Sequence, residues 1–468
     1  MKSLRFVGKT GSHAELYTAA LADPNTTIVD SLTSAANVSL RLRLDDKPLE
    51  VRFPPEVRDL LDLAVVIYIL DELRSREDTP DGWNREFDLV TPVQDPPRWE
   101  AATEALRAAL STLSGDDFAF EWCERRSLGS IGSHRTGLPR GFDTVCLFSG
   151  GLDSLLGAIL LLEEGRRVLL VGHQADPATA SAQKGLARSL RARYPKRAAL
   201  VQCRAARRAS EMVTHRLPQK CEDSHRTRSF LFLSLAVAIA SAARIDEVFI
   251  AENGLIALNP PLQPSRMGTA TTRTAHPRYL LELRAFLRAA NLFDGSITNP
   301  FLHQSKTDML RNLDPKLVDL VIRSVSCARP MRYQDRGVRH CGYCVPCIYR
   351  RIALHEASLD SPGDYAFDVF QELASMSLHT QADFRALVRF ARRVTGSSPA
   401  ELEALVVTNG VFDPVEASEL GGAGTKEYQP WSQMLKRWAD DFLAKATSLS
   451  SAGTLRIVGL QSASREKR

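Results

Sequence analysis

Residues 144–162 constrain the fold of this chain most. Thr144-Val-Cys-Leu-Phe148 is an apolar strand, and Ser149-Gly150-Gly151-Leu152-Asp153-Ser154 is a glycine turn. Leu155, Leu156, Ile159, Leu160 and Leu162 then recur at helical spacing. A strand that turns tightly into a helix brings backbone N–H groups and a helix N-terminus to one point, where phosphate binds. Two adjacent glycines let the main chain approach an anion closely. Ser149 and Ser154 add hydroxyl donors. Asp153 is itself anionic and suits a Mg²⁺ contact or a polarised water better.

The same pattern repeats downstream. Strands are expected at Val168–Gly172, Ala199–Cys203 and Val248–Ala251, with helices near 177–193, 226–243 and 278–289. A β-α-β-α order implies an α/β fold: a Rossmann-like parallel sheet with helices on both faces. Ligands of such sheets sit beyond the carboxyl ends of the strands. His173-Gln174 and Glu252-Asn253-Gly254 follow strands and should face that crevice, although a polar residue after a strand is also an ordinary solvated turn. Arg226 and Arg228 open the most apolar helix, where a cation opposes the helix dipole. A nearby anion would compensate, and a solvated arginine is the alternative. Ser305 and Asp308 have the spacing of a capping box, which places Lys306 in a helix's first turn. That position also needs an anion, so Lys306 is a candidate for charge stabilisation in phosphate chemistry. The Pro- and Thr-rich stretch 258–278 reads as a substrate lid or wall.

Four of the eight cysteines cluster as Cys327-x13-Cys341-x2-Cys344-x2-Cys347. Four thiolates at this spacing match a closed, structural zinc site. Iron–sulfur ligation also fits the residue types, and His340 is the nearby substitute ligand. A closed site has no open position for catalysis. Cys203 and Cys221 remain as thiols that are either nucleophiles or, more commonly for such residues, buried and inert.

The chain has 468 residues and divides on pattern into three parts. Residues 1–138 read as an N-terminal α+β domain for binding or positioning, 139–358 as the nucleotide domain with the zinc knuckle, and 359–468 as a helical region. A net charge of +5 does not by itself point to nucleic acid. No secretory signal is recognised at Met1 to Val7, and the most apolar stretch, 230–243, is too short to span a bilayer. A cytoplasmic protein without membrane contact is expected.

The loop Ser149–Ser154 resembles the S-G-G-x-D-S pyrophosphatase loop of enzymes that split ATP between its α and β phosphates. Together with Arg228-x4-Leu233, Pro300-x5-Lys306 and the cysteine cluster, it is similar to the 7-cyano-7-deazaguanine synthase (QueC) family over residues 142–358. The resemblance implies an adenine nucleotide α-hydrolase type of fold, with ATP, Mg²⁺ and Zn²⁺. It implies a ligase-type reaction in which a carboxylate is adenylated and then attacked by ammonia. Ser149, Gly150, Gly151, Leu152, Asp153 and Ser154 would hold the pyrophosphate, and Asp153, Lys306 and Arg228 would serve the chemistry. The chain departs from the simple enzyme in its two added regions and its longer zinc loop. It also carries Thr272-Arg-Thr-Ala-His276-Pro277 where that family's Tyr-Pro-Asp stretch is expected. The enlarged form resembles QueC-like proteins of anti-phage Qat operons, which implies a partner protein from the same operon and an acceptor that is either a free deazapurine or a protein-linked group. Two other readings stay open. One is a tRNA-modifying enzyme using the arginine-rich stretch 188–208. The other is a non-catalytic ATP-binding scaffold.

Overall fold

A computed structural model describes residues 4–9, 26–30, 37–125, 137–208, 222, 225–260, 262, 273–311, 313–408 and 428–460. The N-terminal part contains β1 (Leu4–Lys9), β2 (Thr26–Asp30), β3 (Val38–Leu44), β4 (Lys47–Pro48), α1 (Pro55–Leu73), β5 (Glu86–Val93), α2 (Pro96–Ser114) and β6 (Asp117–Glu124). The central part continues with β7 (Thr144–Leu147), α3 (Leu152–Glu163), β8 (Val168–His173), α4 (Pro177–Arg193), β9 (Ala198–Arg207), α5 (Arg228–Ala243) and β10 (Glu247–Phe249). After these come α6 (Gly254–Leu258), α7 (Pro277–Ala289), β11 (Ser296–Thr298), α8 (Lys306–Leu310), α9 (Val318–Arg323) and α10 (Val345–Glu356). The C-terminal helices are α11 (Leu378–Gly396), α12 (Pro399–Thr408), α13 (Tyr428–Leu449) and α14 (Ala452–Val458).

The chain is α/β, as its alternating pattern predicts. Strands β11-β10-β7-β8-β9 lie parallel in that order, and β3 and β4 extend the sheet antiparallel beyond β9. Side chains of a strand alternate between faces, and the burial follows this. Cys146, Phe148, Leu170 and Leu200 enter a core with α3 and α4. Val145, Leu147, Leu169, Val171 and Val201 enter the opposite core with α5. The uniformly apolar sequence of α5 now has its reason: α5 is covered by the sheet on one side and by α1 on the other.

The N-terminal part differs from the α+β expectation. Strands β2-β1-β5-β6 form a second sheet that is parallel throughout, with α2 as the crossover from β5 to β6. Period-two alternation does not distinguish parallel from antiparallel pairing. The nearly continuous burial of Phe87 to Val93 is the mark of a parallel strand. Nor does residue 138 separate the two sheets. Strand β3, expected in the N-terminal domain, pairs with β9 from Val38↔Arg207 to Leu44↔Val201.

A buried charge cluster joins the two sheets. Arg85 donates to Asp71 Oδ1 at 2.5 Å and to Asp116 Oδ2 at 2.7 Å, and Arg76 donates to Asp116 Oδ1 at 2.7 Å. Asp71 Oδ2 in turn accepts from the Thr227 N–H at 2.8 Å and its hydroxyl at 3.0 Å. The N-terminal part therefore fixes the first residue before α5.

Candidate functional site

The chain order crosses from one side of β7 to the other: β8 and β9 lie to one side, β10 and β11 to the other. A crevice opens at such a switch point, beyond the strand ends. Here it is a cleft of about 330 Å³ lined by the loop after β7 and by residues following β8 and β10.

The loop is built by local chemistry. Gly150 has φ +81°, which a side chain would oppose, and a Cβ there would press on the Gln183 backbone at 3.1 Å. Ser149 Oγ lies 3.1 Å from Ser154 Oγ and accepts from the Gly151 N–H at 3.3 Å. The Ser154 hydroxyl also reaches Gly151 O at 3.1 Å. Gln183 of α4 braces the loop from behind through Ser149 O at 3.4 Å and His173 O at 3.1 Å. The first-turn N–H groups of α3 have no acceptor within their own helix.

Asp153 is 9% exposed, and both its oxygens are engaged. Oδ1 pairs with Lys306 Nζ. Oδ2 accepts from Asn253 Nδ2 at 2.6 Å and from the Asn253 N–H at 3.3 Å. Lys306 begins α8 under the predicted capping box of Ser305 and Asp308. The anion that its position requires is thus Asp153. Arg228 lines the same cleft, with its guanidinium 6.0 Å from the Phe232 ring centre. Arg226, the alternative phosphate contact, points elsewhere: it donates to Ser114 O at 3.1 Å and lies over the Trp83 ring.

His173 and Glu252 complete the walls. His173 is 1% exposed between the rings of Tyr68 and Phe232, and neither ring nitrogen has a hydrogen-bond partner among the described residues. Burial, with the Arg228 and His225 charges, pushes it down to about 3, so it is neutral. Glu252 is pushed up to about 7 by burial and by the Asp153 charge, against Arg228 and Lys306.

The four clustered cysteines bring their sulfurs within 4.8 Å of one another, and Cys341 and Cys347 are 3.8 Å apart. A zinc–thiolate tetrahedron with bonds of about 2.3 Å has edges of about 3.8 Å, so the donor set fits zinc. Backbone N–H groups of Arg329 and Cys341 approach Cys327 Sγ, and that of Cys344 approaches Cys341 Sγ, at 3.3–3.4 Å. Such donors favour thiolates. His340 stands outside the cluster: its Nε2 accepts from the Ser326 N–H at 3.4 Å.

The chain leading into the cysteine cluster touches the Ser149–Ser154 loop directly. Val325 N–H donates to Gly150 O at 2.9 Å, and Ser326 Oγ accepts from the Leu152 N–H at 3.2 Å. Arg350 of α10 holds the incoming chain through Ser324 Oγ at 2.7 Å and Val321 O at 3.0 Å.

Ser149, Gly151, Leu152, Asp153, Ser154, Arg228 and Lys306 thus meet around one cleft, with Gly150 at the loop's turn. Gln183 and Ser326 escaped the sequence reading, because a lone Gln or Ser carries no spacing signal. Cys203 is fully buried in β9 and pushed up by burial, which leaves it inert. Cys221 and the body of the expected lid, 263–272, lie outside the described residues. No described helix is long and apolar enough to cross a membrane. Comparison of the chain with protein-family profiles, curated proteins and solved structures finds no match.

Proposed function

We propose that the protein is an ATP-dependent, carboxylate-adenylating enzyme of the 7-cyano-7-deazaguanine synthase type. The observation that carries this reading is the glycine loop at the switch point, with the Asp153–Lys306 pair beside it. The loop N–H groups and the Ser149 and Ser154 hydroxyls would hold the β and γ phosphates. Lys306 and Arg228 would balance the charge that develops on the departing pyrophosphate. Mg²⁺ supplied with ATP would neutralise the phosphates, and the Asp153 carboxylate would be the residue to hold it, with Lys306 beside it. Neutral His173 and the Phe232 ring would exclude water from the reacting carboxylate. The cysteine cluster would hold Zn²⁺ and stiffen the loop through Val325 and Ser326.

The resemblance to QueC-like proteins of anti-phage operons extends the proposal to a partner protein encoded beside this one. The acceptor carboxylate would belong to a deazapurine, free or attached to a protein. The test is release of pyrophosphate and AMP from Mg·ATP by the purified protein, with 7-carboxy-7-deazaguanine and ammonia added in turn. Release that depends on the carboxylate and disappears in Asp153→Ala supports the reading. Bound ATP without release under every condition would leave a scaffold.

A further inference from the structure

The phosphate chemistry proposed above leaves Glu252 without a task, although the fold places it among the residues that line the cleft. Glu252 directly follows the Ile250-Ala251 exit of β10 and directly precedes Asn253, which holds Asp153. Its Oε2 is closed off from solvent and accepts no hydrogen bond among the described residues. Charged groups face it from three elements: Asp153 on α3, Lys306 on α8 and Arg228 on α5. The Ala275 N–H adds a favourable dipole. His173 and Asp176, from the end of β8 and the cap of α4, line the same cleft.

An unpaired buried carboxylate oxygen is unfavourable unless a ligand supplies a proton donor. Elimination among the cleft's titratable groups points the same way. Both oxygens of Asp153 are engaged, Lys306 is paired with it, and Asp176 caps α4 through Thr179. His173 is held neutral with too little basicity to take a proton. Among the described titratable groups of the cleft, Glu252 combines an unpartnered oxygen with a proton affinity near neutral pH.

We propose that Glu252 is the general base of the second half-reaction, taking the proton from the amine that attacks the adenylated carboxylate. The assignment rests on the adenylating reading. In this step the amine lone pair forms a C–N bond to the acyl carbon. The C–O bond to the adenylate phosphate breaks, and AMP leaves with that electron pair. One N–H proton passes to the Glu252 carboxylate, and from there to water after product release. No oxidant or reductant is needed. The first half-reaction, in which the carboxylate displaces pyrophosphate, involves no proton transfer and does not need Glu252.

This difference makes the two halves separable in Glu252→Gln, which preserves shape. The first arm measures exchange of labelled pyrophosphate into ATP that depends on 7-carboxy-7-deazaguanine. The second measures amide formation with ammonia, and the third repeats it with hydroxylamine, whose N–H in the tetrahedral adduct is more acidic and passes to water without a base. We expect exchange within about twofold of the unaltered protein, and ammonia transfer reduced about 10²- to 10⁴-fold with loss of its rise around pH 7. Hydroxylamine should recover at least tenfold of the lost transfer. Equal loss of exchange and transfer would overturn the assignment in favour of a metal-holding or structural role. Undiminished ammonia transfer would also overturn it. Failure of exchange in the unaltered protein would remove the adenylating reading itself, so the two failures are distinct.

Discussion

Asn253 Nδ2 donates to Asp153 Oδ2 at 2.6 Å, and this bond ties the loop after β10 to the loop after β7. With Lys306 on the other oxygen, Asp153 is shared by two elements, the segments after β10 and after β11, that both enter the cleft from the same side of the switch point. The pair is buried, so its electrostatics act with little screening by water. That arrangement is the physical centre of the account, and several expectations follow from it and from its supports.

Lys306→Met leaves the Asp153 carboxylate buried without its cation. Removing one partner of a buried pair costs about 3–5 kcal/mol, and losing the charge at the phosphates should lower turnover about 10²- to 10³-fold. The double variant Asp153→Asn/Lys306→Met should regain most of the stability and none of the activity. Thermal melting and pyrophosphate release measure the two separately, and recovery of both would show that the pair is only structural.

Arg85 and Asp116 have fully buried side chains, and Asp71 carries their network to Thr227 at the start of α5. Arg85→Met should destabilise by about 3–5 kcal/mol through the uncompensated carboxylates. Because α5 begins with Arg228, the milder Asp71→Asn should raise the KM for ATP while kcat changes less. Steady-state kinetics with saturating acceptor checks this, and an unchanged KM would detach the N-terminal part from the cleft.

Metal analysis should find one zinc per chain, lost in Cys341→Ser. Since Val325 and Ser326 hold Gly150 and Leu152, the metal-free protein should also bind ATP at least tenfold more weakly. Calorimetric titration of both forms with ATP reads this directly. Full ATP affinity without metal would mean that the loop stands alone.

Two histidines set a pH dependence of stability. Burial holds His173 and His340 neutral, each pushed down to about 3, against an ordinary value of 6.5. The unfolded chain takes up these protons first as pH falls, so their contribution is fully present above about 6.5 and is lost progressively from 6.5 toward 3. Each proton adds a slope of about 1.4 kcal/mol per pH unit. Glu252 has the opposite sign: its raised value stabilises below the ordinary carboxyl range, and that contribution is lost as pH rises through about 7. His173→Phe should flatten the acid limb of a melting-temperature profile between pH 6 and pH 4.

Much of the architecture was legible because it is periodic. The run from Val145 to Leu162 specifies strand, turn and helix by its own spacing, and the cysteine cluster specifies its geometry by ligand count. Long-range pairing was not legible. The alternation of Val38–Leu44 predicts a strand, yet nothing in it names β9 as its neighbour. Glu86–Val93 reads as a strand without revealing that its partners are parallel. The short strand Ser296–Thr298 is too brief for a pattern, and only its pairing with β10 defines it. In the site, Lys306 was singled out because a helix start needs an anion, but no spacing connects it with Asp153. Glu252 and Asn253 were marked only as residues after a strand. Their distinction arises from what the fold packs around them.

The most direct test of the account follows oxygen. With 7-carboxy-7-deazaguanine labelled with ¹⁸O in its carboxylate, and ATP and ammonia present, adenylation followed by displacement must leave one carboxylate oxygen on AMP. Mass spectrometry of the released AMP should therefore show a single ¹⁸O, abolished in Asp153→Ala. Turnover that yields unlabelled AMP, or ADP in its place, would contradict the adenylation of a carboxylate by this cleft.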